Sequence, residues 1–213
     1  MNHQYDSFIK ELNKSKRFII ASHYNPDGDA IGSMLAMCIF LERMGKEVTL
    51  YNRDLFPSNL SFLSGVDKIT DKLNPKDSFD MAIMVDCAQK KRVSDDFAAF
   101  KNLGAVVCID HHLLEDSDAT IKFIDSDAAS TGEVVLRIMK YAKVKIDEPL
   151  AQCIYTTLVV DTGFFKYSNT NANIFLLAHE LVLAGANPWV VAKNIEESYP
   201  VSRFKLLGSS LGS

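Results

Sequence analysis

The 213-residue chain has few of the features that mark several common classes of protein. Its four cysteines show no Cys-x-x-Cys spacing and lie within apolar segments, which argues against a zinc finger or a disulfide framework. Buried, reduced thiols are the expected state. The formal net charge is −4 and no extended run of Lys and Arg occurs, so binding of duplex nucleic acid is not expected.

Targeting and membrane signals are also missing. The first residues have no basic segment followed by an apolar one, so no signal peptide is indicated. No apolar run reaches the roughly 20 residues that a membrane-spanning helix needs. With 47% hydrophobic and 23% charged residues, the composition is that of an ordinary globular domain. We therefore expect one substantial domain, located in the cytoplasm and without a membrane partner.

Apolar segments rich in β-branched residues alternate with helical patterns along the chain. Strands are predicted at residues 17–21, 46–51, 79–85, 105–109 and 121–125, and helices at 31–44, from 130, at 173–184 and from 188. The segment 153–160 fits a strand or a buried helix equally well. This alternation predicts the α/β class, with a doubly wound, mainly parallel sheet covered by helices on both faces.

Side chains that commonly bind metals follow four of the apolar segments directly. In open α/β sheets the carboxyl ends of the strands meet at one edge, where ligands bind. We therefore expect these side chains to converge there. The candidate ligands are His23, Asp27, Asp29, Asp86, His111 and Asp161.

Asp27 and Asp29 are separated by one residue, so in an extended segment they would point the same way. Two carboxylates held together are costly without a cation. In the alternative interpretation, Asp29 caps the following helix and Asp27 is its solvated neighbour.

The chemistry of the candidate ligands indicates the metal. Oxygen donors with a few imidazoles suit manganese or magnesium, with cobalt or iron as alternatives, better than structural zinc. Six ligands exceed what one ion with open positions uses. The sequence therefore predicts a two-metal site, in which ions about 3.5–4 Å apart clamp both oxygens of a phosphoryl displacement.

Four motifs in order resemble those of the DHH phosphoesterase superfamily: residues 23–33, Asp86, residues 110–112 and residues 161–163. The segment 130–133 also matches the family. Within the superfamily, residues 25–33 and 161–165 most resemble the bacterial nanoRNase (oligoribonuclease) and pAp-phosphatase branch, where pAp is 3′-phosphoadenosine-5′-phosphate.

The resemblance implies a two-metal phosphoesterase acting on short oligoribonucleotides, di-adenylates or pAp, by attack of a hydroxide that bridges the metals. Manganese is the expected metal, with magnesium or cobalt as alternatives. The partner would be a small phosphorylated nucleotide or a short single-stranded oligoribonucleotide. The two implied ligand sets are His23, Asp27 and Asp86, and Asp29, Asp86, His111 and Asp161.

The resemblance also assigns roles beyond metal binding. Asp110 is the expected partner that orients the imidazoles. His112 is expected to face the phosphate, where it would stabilise developing charge or donate a proton to the leaving oxygen. Four hydroxyls are candidates for positioning phosphate oxygens, although each also has an ordinary interpretation as a capping or turn residue. They are Ser130, Thr131, Thr162 and Thr170.

The resemblance further suggests a domain organisation. Residues 1–197 would be the DHH catalytic domain, and residues 198–213 the start of a linker helix toward a DHH-associated domain that is absent here. The chain has no Gly-Gly pair of the kind that domain carries in its substrate motif. We therefore expect a fragment that holds the catalytic domain, with a single-domain relative as the alternative. A homodimer is left open. Two alternatives remain: a family-II-like inorganic pyrophosphatase, and a non-catalytic, metal-stabilised nucleotide-binding module.

Overall fold

The computed structural model describes residues 2–113, 116–197 and 201–212. Within these ranges the chain forms six strands, nine α-helices and two short 3-10 helices, Ser58–Leu60 and Val66–Lys68. The strands are β1 (Arg17–Ala21), β2 (Glu47–Tyr51), β3 (Ile69–Thr70), β4 (Met81–Val85), β5 (Ala105–Asp110) and β6 (Ile121–Ile124). The helices are α1 (Asn2–Lys14), α2 (Gly28–Arg43), α3 (Lys90–Val93), α4 (Asp95–Ala99), α5 (Thr131–Tyr141), α6 (Glu148–Asp161), α7 (Ala172–Leu183), α8 (Pro188–Ile195) and α9 (Val201–Leu211).

All described strands belong to one parallel sheet with the order β3-β2-β1-β4-β5-β6. The chain winds outward from β1 to β3, returns to place β4 on the other side of β1, and then winds in the opposite direction. The strand order therefore reverses between β1 and β4. At such a switch point the connections leave a crevice beyond the carboxyl ends of the strands, and ligands bind there.

Both faces of the sheet are covered, as the doubly wound α/β prediction requires. Successive residues of a strand point to opposite faces. Phe18 and Ile20 face the larger core, which contains side chains of α1, α2, α5 and α6. Ile19 and Ala21 face a smaller core that includes Phe97 of α4. The predicted fold class is confirmed.

The segment 153–160, which fits a strand or a helix equally well by sequence, lies in helix α6. Pro149 lies in the first turn of this helix, a position that favours proline. Its residues are buried almost all round, so their hydrophobicity shows no period that would separate the two states. Helix α6 packs closely along α2. A Cβ atom on Gly32 would lie 2.7 Å from the carbonyl oxygen of Cys153 and 2.6 Å from Cγ2 of Thr157. Glycine therefore sets the distance between these helices.

Several predicted boundaries shift by a few residues. Helix α2 begins at Gly28, three residues earlier than predicted, because Asp27 caps it. Strand β4 begins at Met81 and not at residue 79. The predicted boundary between catalytic domain and linker falls at residues 198–200, which lie outside the described residues. Helix α9 lies within the predicted linker.

Helices α7 and α8 present apolar side chains on the surface, among them Leu183 and Trp189. Of the described helices, none is long and apolar enough by itself to cross a membrane. Only α7 and α8 taken together meet that test of length and composition, with a bend of 108° between them.

Candidate metal centre

The centre is built at the switch point of the sheet, where His23 follows β1 and Asp86 follows β4. Nε2 of His23 lies 3.2 Å from Oδ2 of Asp86. Asp86 is almost fully buried and adopts a left-handed backbone with φ of 53°, a conformation that aspartate tolerates better than most residues. Its backbone N–H donates to the carbonyl of Ile109 on β5. The backbone of the neighbouring strand therefore helps to fix this carboxylate.

Asp27 lies at the start of α2 and caps it. Its Oδ1 accepts hydrogen bonds from the backbone N–H groups of Asp29 and Ala30, at 3.0 Å each. The expectation of an extended segment here is wrong, because the helix already begins at Gly28. Ligand atoms of Asp27, His23 and Asp86 nevertheless all lie within 4.8 Å of one another. These three residues form the first ligand group.

Asp29 is fully buried in the first turn of α2, so the interpretation of Asp29 as the cap and Asp27 as its solvated neighbour is wrong. Its carboxylate accepts the backbone N–H groups of Thr131, at 2.8 Å, and Gly132, at 3.1 Å. These groups open α5, whose unpaired N–H groups favour a negative charge. Burial, followed by the nearby charges of Asp86 and Asp161, raises the pKa of Asp29 well above its usual value.

The second ligand group comprises Asp29, His111 and Asp161, whose ligand atoms again lie within 4.8 Å of one another. Nε2 of His111 is 2.9 Å from Oδ2 of Asp161 and 3.7 Å from Oδ2 of Asp29. On the other side of the ring, Nδ1 lies 3.3 Å from the carbonyl of Ala128. Helix α6 contributes Asp161 as its last residue.

Asp86 lies between the two groups. Its Oδ2 faces His23, whereas its Oδ1 lies 3.9 Å from Nε2 of His111 and accepts a hydrogen bond from Oγ1 of Thr131. Burial alone would raise the pKa of Asp86. Hydrogen bonds from His112 and His23 outweigh that effect, so the pKa lies well below its usual value. One carboxylate thus presents an oxygen to each group.

Asp110 holds His112 in place. Oδ1 of Asp110 accepts both the backbone N–H of His112, at 2.9 Å, and its ring Nδ1–H, at 2.8 Å. Together with Asp86, this carboxylate raises the pKa of His112 to about 10. The expected orienting contact therefore exists for His112, whereas His111 contacts the carbonyl of Ala128. The His112 ring is about half exposed and is the more exposed imidazole of this pair.

The donor set fits a divalent metal. The groups combine carboxylate oxygens with imidazole nitrogens, the ligands that manganese and magnesium sites use. Oδ2 of Asp110 is buried and has no hydrogen-bond partner among the described residues, and Nε2 of His111 faces the carboxylates of Asp161 and Asp29. Burying several carboxylates beside one another is costly unless a cation compensates. The residues that bring this charge together could therefore hold a metal ion.

Two of the four candidate substrate hydroxyls stabilise helix ends. Ser130 is buried, caps α5 through the N–H of Glu133 and contacts the hydroxyl of Thr157. The buried hydroxyl of Thr162 donates to the carbonyl of Leu158 at the end of α6. The structure gives no support to direct substrate contact by Ser130 or Thr162, since both hydroxyls already have local partners.

The other two candidates also lie below the surface. Thr131 donates to Asp86, so its hydroxyl orients a candidate ligand. The hydroxyl of Thr170 is buried without a hydrogen-bond partner in the described part of the chain. Sequence reasoning missed Asn169, whose amide donates to the carbonyls of Ala129 and Asp161 and ties their segments together. An Asn in a turn carries no signal that would have singled it out.

The fold and the centre together define a doubly wound α/β domain with a candidate divalent-metal site at its switch point. The family described as "DHH family, N-terminal domain" matches residues 17–158, about two thirds of the chain. The matched range holds every candidate metal ligand except Asp161. The chain therefore belongs to the DHH family.

Curated relatives of the same family share about a quarter of their residues with this chain. A probable bifunctional oligoribonuclease and PAP phosphatase NrnA of Streptococcus mutans is 25% identical over 95% of this chain and 63% of its own length. The bifunctional oligoribonuclease and PAP phosphatase NrnA of Thermus thermophilus is 28% identical over 91% of this chain and 58% of its own length. The chain therefore spans roughly three fifths of these relatives, and it falls in their branch of the family.

Solved structures also resemble this chain. An exopolyphosphatase-related protein from Bacteroides fragilis superposes over the whole chain and 66% of its own chain, with a TM-score of 0.90 and 30% identity. A putative family II inorganic pyrophosphatase from Methanococcus jannaschii covers 84% of this chain and 60% of its own, with a TM-score of 0.63 and 19% identity. The second likeness concerns the fold alone.

Proposed function

We propose that this chain is the catalytic DHH domain of a metal-dependent phosphoesterase that hydrolyses short oligoribonucleotides, di-adenylates or pAp. One observation carries the proposal: groups of potential metal ligands converge at the switch point, and the carboxylate of Asp86 belongs to two of them, one with His23 and Asp27 and one with His111 and His112. The curated relatives are named as oligoribonucleases and PAP phosphatases, and these names support this choice of substrates. Helix α9 would then begin the connection to a further domain.

Each ligand group would hold one ion, with manganese the preferred metal and magnesium or cobalt as alternatives. His23 and Asp27 would bind the first ion, and Asp29, His111 and Asp161 the second. Asp86 would bind both, because its two oxygens face different groups. Such a metal pair polarises phosphoryl oxygens and lowers the pKa of bound water. A RecJ structure from Thermus thermophilus in complex with Mn2+, which is 11% identical to this chain with a TM-score of 0.51, resembles it in fold alone.

His112 and Asp110 would act on the phosphate itself. The His112 ring is partly open to solvent and hydrogen-bonded from behind by Asp110. This geometry presents the ring toward a phosphate bound at the centre. His112 would bind a phosphate oxygen and deliver a proton to the leaving oxygen, a role that histidine commonly takes in catalysis. Asp110 would hold the ring in the orientation for that transfer.

A side-by-side turnover assay tests the proposal. The protein is loaded with manganese, magnesium or cobalt and offered pAp, a diribonucleotide, linear and cyclic di-adenylate, and pyrophosphate. We expect metal-dependent release of phosphate or mononucleotide from at least one nucleotide substrate, at a higher kcat/KM than from pyrophosphate. Faster turnover of pyrophosphate would favour a pyrophosphatase. Metal binding without any turnover would favour a binding module.

A further inference from the structure

A short basic segment lies at the same edge of the sheet as the candidate metal centre. It comprises Lys90, Lys91 and Arg92, which open α3 four residues after Asp86. The side chains of Lys91 and Arg92 are exposed, and that of Lys90 is partly buried. We call these three residues the basic rim. They are not among the candidate site residues predicted from the sequence.

Two successive hydrogen bonds connect the basic rim to a candidate metal ligand. The backbone N–H of Tyr24 donates to the carbonyl of Arg92, at 2.8 Å. The carbonyl of Tyr24 in turn lies 2.8 Å from Nδ1 of His23. The backbone of Arg92 therefore lies beside the segment that carries His23.

The charges of the basic rim are not balanced within the described part of the chain. None of its three side chains forms an ion pair or hydrogen bond there, although the backbone N–H of Lys90 donates to Asp118. Other cations of this domain do hold carboxylates: Arg43 bonds Asp147, for example. The rim also borders a surface hollow of about 460 Å³, lined in part by Lys90, Lys91 and Asp118.

We propose that Lys91 and Arg92 bind a second phosphate of the nucleotide substrate while the scissile phosphate occupies the metal centre. The inference rests on the proposed function and refines its specificity. Arg presents a planar fork of donors to phosphate oxygens, and Lys presents a compact charge. A bisphosphorylated nucleotide or an oligonucleotide engages both the centre and the rim, whereas a substrate with one phosphate engages only one of them. The basic rim would therefore favour bisphosphorylated nucleotides and oligonucleotides over substrates with one phosphate.

The test compares the double variant Lys91→Ala/Arg92→Ala with a matched control, Lys101→Ala/Lys145→Ala. The control also removes two exposed positive charges, but Lys101 precedes β5 at the opposite edge of the sheet and Lys145 precedes the first turn of α6, away from Asp161. Both proteins and the wild type are assayed with manganese on pAp, which has two phosphates, and on p-nitrophenyl phosphate, which has one.

We expect the ratio of the KM for pAp to the KM for p-nitrophenyl phosphate to rise about tenfold in the Lys91/Arg92 variant. The reason is that this variant loses charge-assisted hydrogen bonds to the second phosphate, and such a loss typically weakens binding by about that factor. The control should leave the ratio within about twofold of the wild type. A second double variant, Lys91→Ala/Arg92→Lys, should recover part of the preference, because it keeps the charge at position 92. Added salt should weaken pAp binding more in the wild type than in the Lys91→Ala/Arg92→Ala protein.

Calorimetric titration with pAp and with AMP measures the same preference without turnover, and so separates this inference from the proposed function. The wild type could turn over no nucleotide and still bind pAp more tightly than AMP. If the Lys91/Arg92 variant lost that preference, the result would support the phosphate-binding role of the basic rim and contradict the proposed function. Equal affinity of the wild type for pAp and AMP would overturn the proposed role of the basic rim. A preference for pAp that is unchanged in the Lys91/Arg92 variant would also overturn it. If the double variant fails to fold, Arg92→Gln alone is measured.

Discussion

Among individual residues, Asp86 makes the sharpest prediction because its two oxygens face different ligand groups. Asp86→Asn keeps the shape of the side chain and removes its charge. We expect manganese affinity at both groups to fall by at least about 100-fold, since even residues that only support a ligand typically change affinity 10–100-fold. Calorimetric manganese titration of the variant and the wild type measures the loss.

His112→Ala should behave differently, because His112 is half exposed and is held by Asp110 behind it. We expect kcat on pAp to fall by about 100-fold, the lower range for a lost acid–base group. Manganese affinity should stay within about threefold of the wild type, because His112 belongs to neither of the two assigned ligand groups and shares a potential group only with Asp86 and His111. Similar losses of manganese affinity in His112→Ala and Asp86→Asn would contradict the roles assigned to the two residues.

At the scale of elements, the distance between α2 and α6 bears on the second ligand group, which joins residues of both helices. Helix α2 carries Asp29 in its first turn, and α6 ends at Asp161. Gly32 lies where the helices touch, and an added Cβ would meet both backbone and side-chain atoms of α6. We expect Gly32→Ala to lower the free energy of unfolding by about 1–3 kcal/mol, the usual cost of overpacking. It should also weaken manganese binding. Denaturant titration and calorimetry measure the two effects.

Gly208→Ala in α9 is the matched control, since a Cβ there would meet nothing within 4 Å. Its unfolding free energy should equal or slightly exceed that of the wild type, because alanine favours a helix more than glycine does. A Gly32→Ala protein as stable as the control would mean that α6 can shift away from α2 without cost. The close approach would then not position the centre.

Elements also show where sequence patterns predict structure well. Strands β1, β4 and β5 are predictable because β-branched runs end abruptly in polar residues, and a buried parallel strand has that pattern. Helix α6 is ambiguous in the sequence because it is buried almost all round, so no polar face reveals its period. The predicted start of α2 is wrong because Asp27 acts both as a cap and as a candidate ligand.

For the whole molecule, the centre should couple metal binding to stability. Without a cation, the buried carboxylates of Asp29 and Asp86 lie near each other and near Asp161, and their repulsion opposes folding. Ions that bind the folded state alone stabilise it, by about 2.7 kcal/mol for one site at 100 times its Kd. We therefore expect manganese to raise Tm by about 5–10 °C in a domain of this size.

Differential scanning calorimetry with manganese, and again after chelation, measures this shift. Asp86→Asn is the control variant and should show a smaller rise, because one shared ligand is lost. An equal Tm with manganese, magnesium, cobalt and chelator would show that the converging side chains do not form a metal site in the folded protein.

The sequence by itself determined the α/β class and the identity of the six candidate metal ligands. Both follow from local patterns: buried strands reveal themselves by their composition, and polar residues at their ends are read directly from the chain. It also indicated the family, because four motifs occur in order over most of its length.

Only the tertiary structure decided how these residues combine. The sharing of Asp86, the N–H groups of Thr131 and Gly132 on Asp29, and the nearness of Arg92 to the centre all join segments far apart in the chain. Local sequence carries no information about such contacts, because they depend on which strand lies beside which. The reversal of strand order between β1 and β4 fixes that arrangement and thereby creates the centre.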